Sequence, residues 1–432
     1  MIKIGIVSLG CDKNRIDTEN MLYYLKGGEY SVVDDYSEAQ VIIINTCAFI
    51  ESARIEAIDT ILEMAEYKKT GKCEKLIVTG CLPQKYLSEL KDELVEVDAF
   101  LGVNEYEKIA NCINSQNSIA EKTNKRILTT PQHYAYLRIA DGCDNFCTFC
   151  TIPSIRGKYR SKSLEEVISE ANSLIANGVK EIILIAQDVT SYGKDLYGKP
   201  SLVMLLKELS KLDVRWIRLM YCYPELVSDE LIEEIANNDK IVKYIDIPLQ
   251  HISDKILRLM NRRSRKAQIC ELIKKLREKC PNIVIRSTFM VGFPGESEED
   301  FAQLCDFCEE YKLERVGIFA YSKEEDTPSA KIKGHLSDDI KEERVDILGS
   351  ILQDGMIGHN GSYVGQVLDV VYEDIDYDKN MFVGRTSFDA PDIDSVVYFT
   401  GEFADVGEIY KVKITAVDGY DLKGEIVDEF TK

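Results

Sequence analysis

Short apolar runs, each trailed by a stretch of helical spacing, recur along most of this chain, and that alternation restricts the fold more than any other feature. Between residue 1 and about residue 115 the runs are Ile2–Leu9, Val41–Ile44 and Leu76–Val78, with helical stretches at Asn14–Leu25, Ala53–Tyr67 and Gln84–Leu94 between and after them. Strands that alternate with helices run back in the same direction, which predicts an open parallel sheet. A polar segment, Asn111 to Thr130, reads as a linker. The alternation then resumes at Tyr134–Ile139, Ile182–Ala186, Trp216–Met220, Tyr244–Ile247, Ile283–Met290 and Val316–Ala320, and six such units predict a partial parallel barrel. A charged helical stretch ends near Asp354, and the tail from Gly361 to Lys432 turns to Val-, Tyr- and Phe-rich strands broken by Gly and Asp, as in a small β-barrel or sandwich. The fold class is α/β with an all-β carboxy-terminal unit, divided as 1–115, a linker at 116–132, 133–358 and 361–432.

The cysteines fall into this pattern in two ways. Cys11, Cys47 and Cys81 each stand just after an apolar strand, 36 and 34 residues apart, about one strand–helix–strand unit. In a parallel sheet all carboxyl ends share one edge, where ligands bind, so three thiols distant in sequence can meet there. A single cysteine of this kind is commonly a small buried hydrophobe; the same placement in three successive units favours ligands. Three soft thiolates suit an iron–sulfur cluster with one iron left open.

The second group is local: Cys143, Cys147 and Cys150 form CxxxCxxC directly after a strand. That spacing lets one loop wrap three corners of a cubane. A structural zinc site would want a fourth Cys or His close by, and the next, Cys222, is 72 residues on. Cys305 and Cys308 lie within the helical pattern Phe301–Tyr311, where core packing is expected; Cys73, Cys112, Cys222, Cys270 and Cys280 have no spacing signal. The four histidines are too scattered to suggest a zinc site or a triad.

With 53 basic and 74 acidic residues, the formal charge of −21 argues against coating a nucleic acid. Thirteen cysteines suit metal or redox use in a reducing compartment better than disulfides. The apolar runs are strand-length, short of a bilayer span. The chain opens on a strand without the features of a secretory signal. These readings predict a cytoplasmic protein with no membrane contact.

At Cys143, Cys147 and Cys150 the sequence resembles the radical S-adenosylmethionine superfamily. The whole chain resembles its methylthiotransferase family, on Ser8-Leu9-Gly10-Cys11-Asp12-Lys13-Asn14, Asn45-Thr46-Cys47, Thr79-Gly80-Cys81, Ile152-Pro153-Ser154-Ile155-Arg156-Gly157, Ala186-Gln187-Asp188, Pro248-Leu249-Gln250-His251 and Gly292-Phe293-Pro294-Gly295-Glu296. The resemblance implies an amino-terminal domain, a radical barrel and a TRAM domain. It implies two 4Fe-4S clusters, on Cys11, Cys47 and Cys81 and on Cys143, Cys147 and Cys150, with S-adenosyl-L-methionine at the second. It also places Phe149 near the adenine. Gln187 and Asp188, at the end of the second barrel strand, are candidates for the cofactor's amino or ribose groups, because barrel sites form at the carboxyl ends of strands.

The first of these strings, with Gly384 to Asp394, resembles the branch that methylthiolates the β-carbon of an aspartate in small-subunit ribosomal protein S-twelve. The implied division of labour is hydrogen abstraction through the CxxxCxxC cluster and sulfur delivery from the other, with electrons from a flavodoxin or ferredoxin. The alternative is a tRNA methylthiotransferase acting on an adenine beside the anticodon. Residues 361–432 carry 16 acidic and 6 basic residues, a net −10 suited to a basic protein rather than RNA. Asp389, Asp392 and Asp394 are expected on an exposed loop that meets the substrate. Arg286, in a strand pattern, is expected to be buried and paired.

Overall fold

The computed structural model describes residues 1–26, 30–114 and 125–428. The amino-terminal unit runs β1 (Ile2–Ser8), α1 (Asp12–Leu25), β2 (Tyr30–Val32), β3 (Val41–Thr46), α2 (Glu51–Ala65), α3 (Tyr67–Thr70), β4 (Lys75–Gly80), α4 (Cys81–Glu93), β5 (Ala99–Leu101) and α5 (Ile109–Asn114). Its sheet has the order β2-β1-β3-β4-β5, with every pairing parallel. The winding direction reverses between β1 and β3, so helices cover both faces and a crevice opens at the carboxyl ends of those two strands. The edge strands β2 and β5, three residues each, are too short to leave a readable apolar run.

The central unit contains β6 (Tyr134–Arg138), β7 (Ala140–Asp141), α6 (Ile152–Arg156), β8 (Arg160–Ser161), α7 (Leu164–Ala176), β9 (Glu181–Ile185), α8 (Lys194–Tyr197), α9 (Leu202–Leu209), β10 (Trp216–Leu219), α10 (Asp229–Asn237), β11 (Ile241–Asp246), α11 (Asp254–Leu259), α12 (Lys266–Lys279), β12 (Val284–Val291), α13 (Glu298–Tyr311), β13 (Arg315–Ala320) and α14 (Asp338–Gly361). Six strands lie in sequence order from β6 and β9 to β13, all parallel. That is the predicted partial barrel. One face of each strand, with Leu137, Leu184, Leu219 and Ile285, packs on the surrounding helices. α14 continues seven residues past the expected stop near Asp354, and in that extension buried Asn360 donates its Nδ2 to the Tyr420 carbonyl at 2.6 Å.

The tail folds as β14 (Val367–Asp376), β15 (Met381–Thr386), β16 (Val397–Thr400), β17 (Ile409–Asp418) and β18 (Asp421–Asp428), closed in the order β14-β15-β16-β18-β17. This barrel fills the concave face of the half-barrel. Tyr136, Ile185, Trp216 and Tyr244 share one apolar cluster with Ile16 of α1 and with Val371, Ala390 and Ile409 of the tail. Part of the predicted linker lies outside the described residues; its end is tied down, with Arg126 Nη1 2.7 Å from Glu19 and Ile127 N bonded to Glu19 O. Among the described residues no helix is long and apolar enough to cross a membrane.

The acidic loop expected at the surface is mostly turned inward. Asp389 is 1% exposed and pairs with Arg315 at 2.7 Å. Asp394 accepts from Tyr244 Oη at 2.7 Å and pairs with Arg286 at 3.4 Å, which gives Arg286 its second carboxylate beside Asp246 at 3.1 Å. Only Asp392 is exposed, loosely paired with Arg15 at 3.6 Å. The half-barrel presents buried arginines on its concave face, and the acids of the tail neutralise them; an unpaired charge in that position would be costly.

Candidate functional site

Each cysteine of the first triad follows a strand whose carboxyl end lies at the crevice: Cys11 caps α1 after β1, Cys47 follows β3, and Cys81 opens α4 after β4. The chain must turn sharply there. Gly10 has φ +92°, and a Cβ on it would lie 2.8 Å from Cys47 Cβ and 3.3 Å from Cys47 Sγ. Gly80, at φ +100°, would strike the Thr46 carbonyl at 2.6 Å. Glycine is what lets these loops close on one another.

Asn14 joins all three. Its Nδ2 donates to the Leu9 carbonyl at 3.2 Å and the Thr46 carbonyl at 3.0 Å, and its Oδ1 lies 3.5 Å from Cys81 Sγ. The same Oδ1 accepts from Arg156 Nη2 at 2.8 Å, and Arg156 also binds Asp17 at 3.0 Å and Asp141 at 3.3 Å. Arg156 belongs to α6, just after the second triad, and Asp141 immediately precedes Gly142-Cys143. One buried guanidinium therefore stands between the two cysteine groups.

In the second triad, Gly142 has φ +76°, and a Cβ there would meet the Lys158 carbonyl at 2.1 Å. Cys143 N bonds to Gly157 O at 3.1 Å and Cys150 N to Cys147 O at 3.0 Å, wrapping the loop on itself. Around it, Asn145 Nδ2 lies 3.6 Å from Cys143 Sγ, while Tyr223 Oη and Arg262 Nη1 lie 3.7 and 3.8 Å from Cys147 Sγ. Asn14, Arg156, Tyr223 and Arg262 have no spacing signal; the quoted strings contain the first two, but nothing in the sequence gives either a role.

Burial pushes the Cys81 and Cys150 thiols up to about 12 and raises Cys47 and Cys143 as well. The Arg156 guanidinium pulls Cys81 the other way, as Arg262 does Cys150. Thiols held protonated by burial become ligands when a cation takes the proton's place. Among the described residues no three His, Cys, Asp or Glu side chains are close enough to share a single ion. Three soft donors without a fourth fit a four-iron cluster.

The expected cofactor contacts lie at the adjoining strand ends. Gln187 follows β9; its Nε2 is 3.4 Å from Asp141, and its buried Oε1 has no partner among the described residues. Asp188 is fully buried and accepts from Thr190 Oγ1, Ser191 N, Ser191 Oγ and Asn145 Nδ2 at 2.5 to 3.1 Å, so it holds the CxxxCxxC loop with all its acceptor positions taken. Half-buried Phe149 meets Phe293 edge-on at 6.3 Å, and Phe293 meets Tyr321 at 5.3 Å. Glu296 in the following turn is committed to Arg344 and the Phe293 amide. Cys305 and Cys308 lie in α13 against the core, as expected.

Residues 3–102 match the Uncharacterized protein family UPF0004, 137–308 the Radical SAM superfamily and 364–427 the TRAM domain. A Clostridium botulinum protein named ribosomal protein uS12 methylthiotransferase RimO is 51% identical over 447 residues, covering 100% of this chain and 99% of its own. One of the same name from Acetivibrio thermocellus is 48% identical over 451 residues with the same coverage. The chain belongs to the ribosomal protein uS12 methylthiotransferase family. Among solved structures, the radical S-adenosylmethionine methyltransferase TsrM from Kitasatospora setae superposes with a TM-score of 0.56 at 13% identity over 76% of each chain. The radical enzyme OxsB superposes with a TM-score of 0.53 at 12% identity over 81% of this chain and 56% of its own. These two share the fold. The family's relatives extend over all three units, so the amino-terminal sheet and the barrel are parts of the enzyme rather than appendages.

Proposed function

We propose that the chain is a radical S-adenosylmethionine enzyme that methylthiolates the β-carbon of an aspartate in ribosomal protein uS12. The observation that carries this reading is the end-to-end likeness to proteins named for that reaction, in a chain whose two thiol triads stand at neighbouring strand ends. The β-carbon's hydrogen is not acidic enough for a side-chain base to remove. When bound on the two triads, iron–sulfur clusters with S-adenosylmethionine supply one-electron hydrogen abstraction at the loop and sulfur at the sheet edge.

The chain's own residues bind, orient and exclude water. Cys11, Cys47 and Cys81 would hold one cluster at the sheet edge, and Cys143, Cys147 and Cys150 the other on the loop. Gln187 Oε1 offers an acceptor to the cofactor's amino group, and Phe149 gives an apolar wall on the side of the adenine. Asp188 positions the loop through Asn145. Arg156 and Arg262 set positive charge beside the thiolates. The division at 1–115, 133–358 and 361–432 assigns the sulfur-bearing cluster, the radical chemistry and the cover of the concave face in turn. Electrons come from a small carrier of the flavodoxin or ferredoxin class.

The test is mass spectrometry of uS12 and of digested tRNA from a strain lacking the gene, with and without the gene restored. A methylthio increment on uS12 that returns with the gene is expected. A change confined to a tRNA nucleoside would overturn the reading.

A further inference from the structure

Lys13 stands two residues after Cys11 in the first turn of α1, where its side chain is directed at the half-barrel. It is 7% exposed, and its Nζ lies 3.4 Å from the centroid of Tyr221, just beyond the carboxyl end of β10. Among the described residues its ammonium makes no hydrogen bond or ion pair, although a lysine side chain set this deeply is usually paired. The nearby carboxylates are already engaged. Asp246 accepts from the Tyr221 amide at 2.9 Å and pairs with Arg286, and Asp12 accepts from Tyr221 Oη at 3.3 Å. Tyr221 itself has φ +60°, an unusual conformation for a tyrosine, and its ring carries the ammonium. An aromatic face satisfies one side of an ammonium and leaves N–H donors for an anion.

We infer that Lys13 and the Tyr221 ring form a carboxylate subsite for the side chain of the substrate aspartate, at the boundary between the sulfur-bearing edge and the half-barrel. This rests on the function proposed above. Gripping the carboxylate fixes the adjacent β-carbon, so one cation sets both which residue is chosen and which hydrogen faces the chemistry. The ammonium's missing partner is then the substrate itself.

The test uses the reconstituted enzyme with S-adenosylmethionine and two peptides spanning the target of uS12, one with its aspartate and one with asparagine in that place. Dissociation constants by fluorescence anisotropy should favour aspartate by about ten- to a hundredfold, the scale of one buried charged hydrogen bond. In Lys13→Met and Lys13→Gln the ratio should fall to near one with iron content at the wild-type level, while Lys13→Arg keeps a preference. A merely structural lysine would weaken both peptides alike. A wild type indifferent to the exchange, or a ratio unchanged in either neutral variant, overturns the inference. So does selective loss of iron from the Cys11, Cys47, Cys81 site in those variants, which would make Lys13 a counter-ion of the thiolates. If the wild-type enzyme leaves intact uS12 unmodified, the function reading fails as well; if it modifies uS12 but the ratio persists, only the subsite fails.

Discussion

Cys143, Cys147 and Cys150 belong to one loop whose own backbone bonds wrap it, whereas Cys11, Cys47 and Cys81 come from three strand ends and need the whole amino-terminal sheet to meet. The loop site is specified by spacing, the sheet-edge site by topology. A loop site is damaged by changes next to it. A topological site is also vulnerable at the single side chain that ties its loops, which here is Asn14. The contrast shows why one triad can be found by its motif and the other only by asking where parallel strands end.

The largest effect expected is from the ligands themselves. Cys147→Ala should abolish reductive cleavage of S-adenosylmethionine, while Cys47→Ala should retain cleavage but give no thiolated product, each losing about half the iron of the reconstituted protein. Iron analysis and 5'-deoxyadenosine assays decide this. If both variants empty the same cluster, the two-site comparison is broken.

Next comes a change outside both triads. Asp389→Ala strands the buried Arg315 charge and should cost about 3–5 kcal/mol in denaturant unfolding. Because the barrel packs on the half-barrel and on α1 rather than on one triad alone, iron should fall at both sites together; selective loss would mean the barrel serves only one.

Asn14→Ala leaves the Leu9 and Thr46 carbonyls without a donor, and should cost about 1–3 kcal/mol per group left unsatisfied. It should empty the Cys11, Cys47, Cys81 site while sparing the loop, a difference readable by iron analysis in the Cys47→Ala and Cys147→Ala backgrounds. The smallest effect belongs to Asp392→Ala, whose exposed pair with Arg15 is worth under about 1 kcal/mol and should leave stability and iron unchanged. A larger loss there would mean that this exposed pair is part of what holds the tail to α1.

The fold was legible wherever a residue's environment follows from its neighbours in sequence. Apolar runs marked the principal strands and the parallel winding, and the cysteines could be placed because each follows such a run. The three-residue edge strands β2 and β5 left no such run. The polar residues that finish the site were illegible for a different reason: Arg156 meets Asn14 and Asp17 across more than a hundred residues of chain, and pairing at that distance leaves no periodicity. Asp389 and Asp394 were misread on the same ground. An acidic loop with a proline looks solvated until the arginines it faces, on other strands, are known.

Arg156 also bears on the order in which the molecule is made. The amino-terminal sheet has all its strands by Leu101, but the guanidinium that braces its cysteine edge is synthesised later, on the far side of the CxxxCxxC loop. During translation the first thiol site therefore emerges without its brace, and it is finished only when the second has been drawn against it.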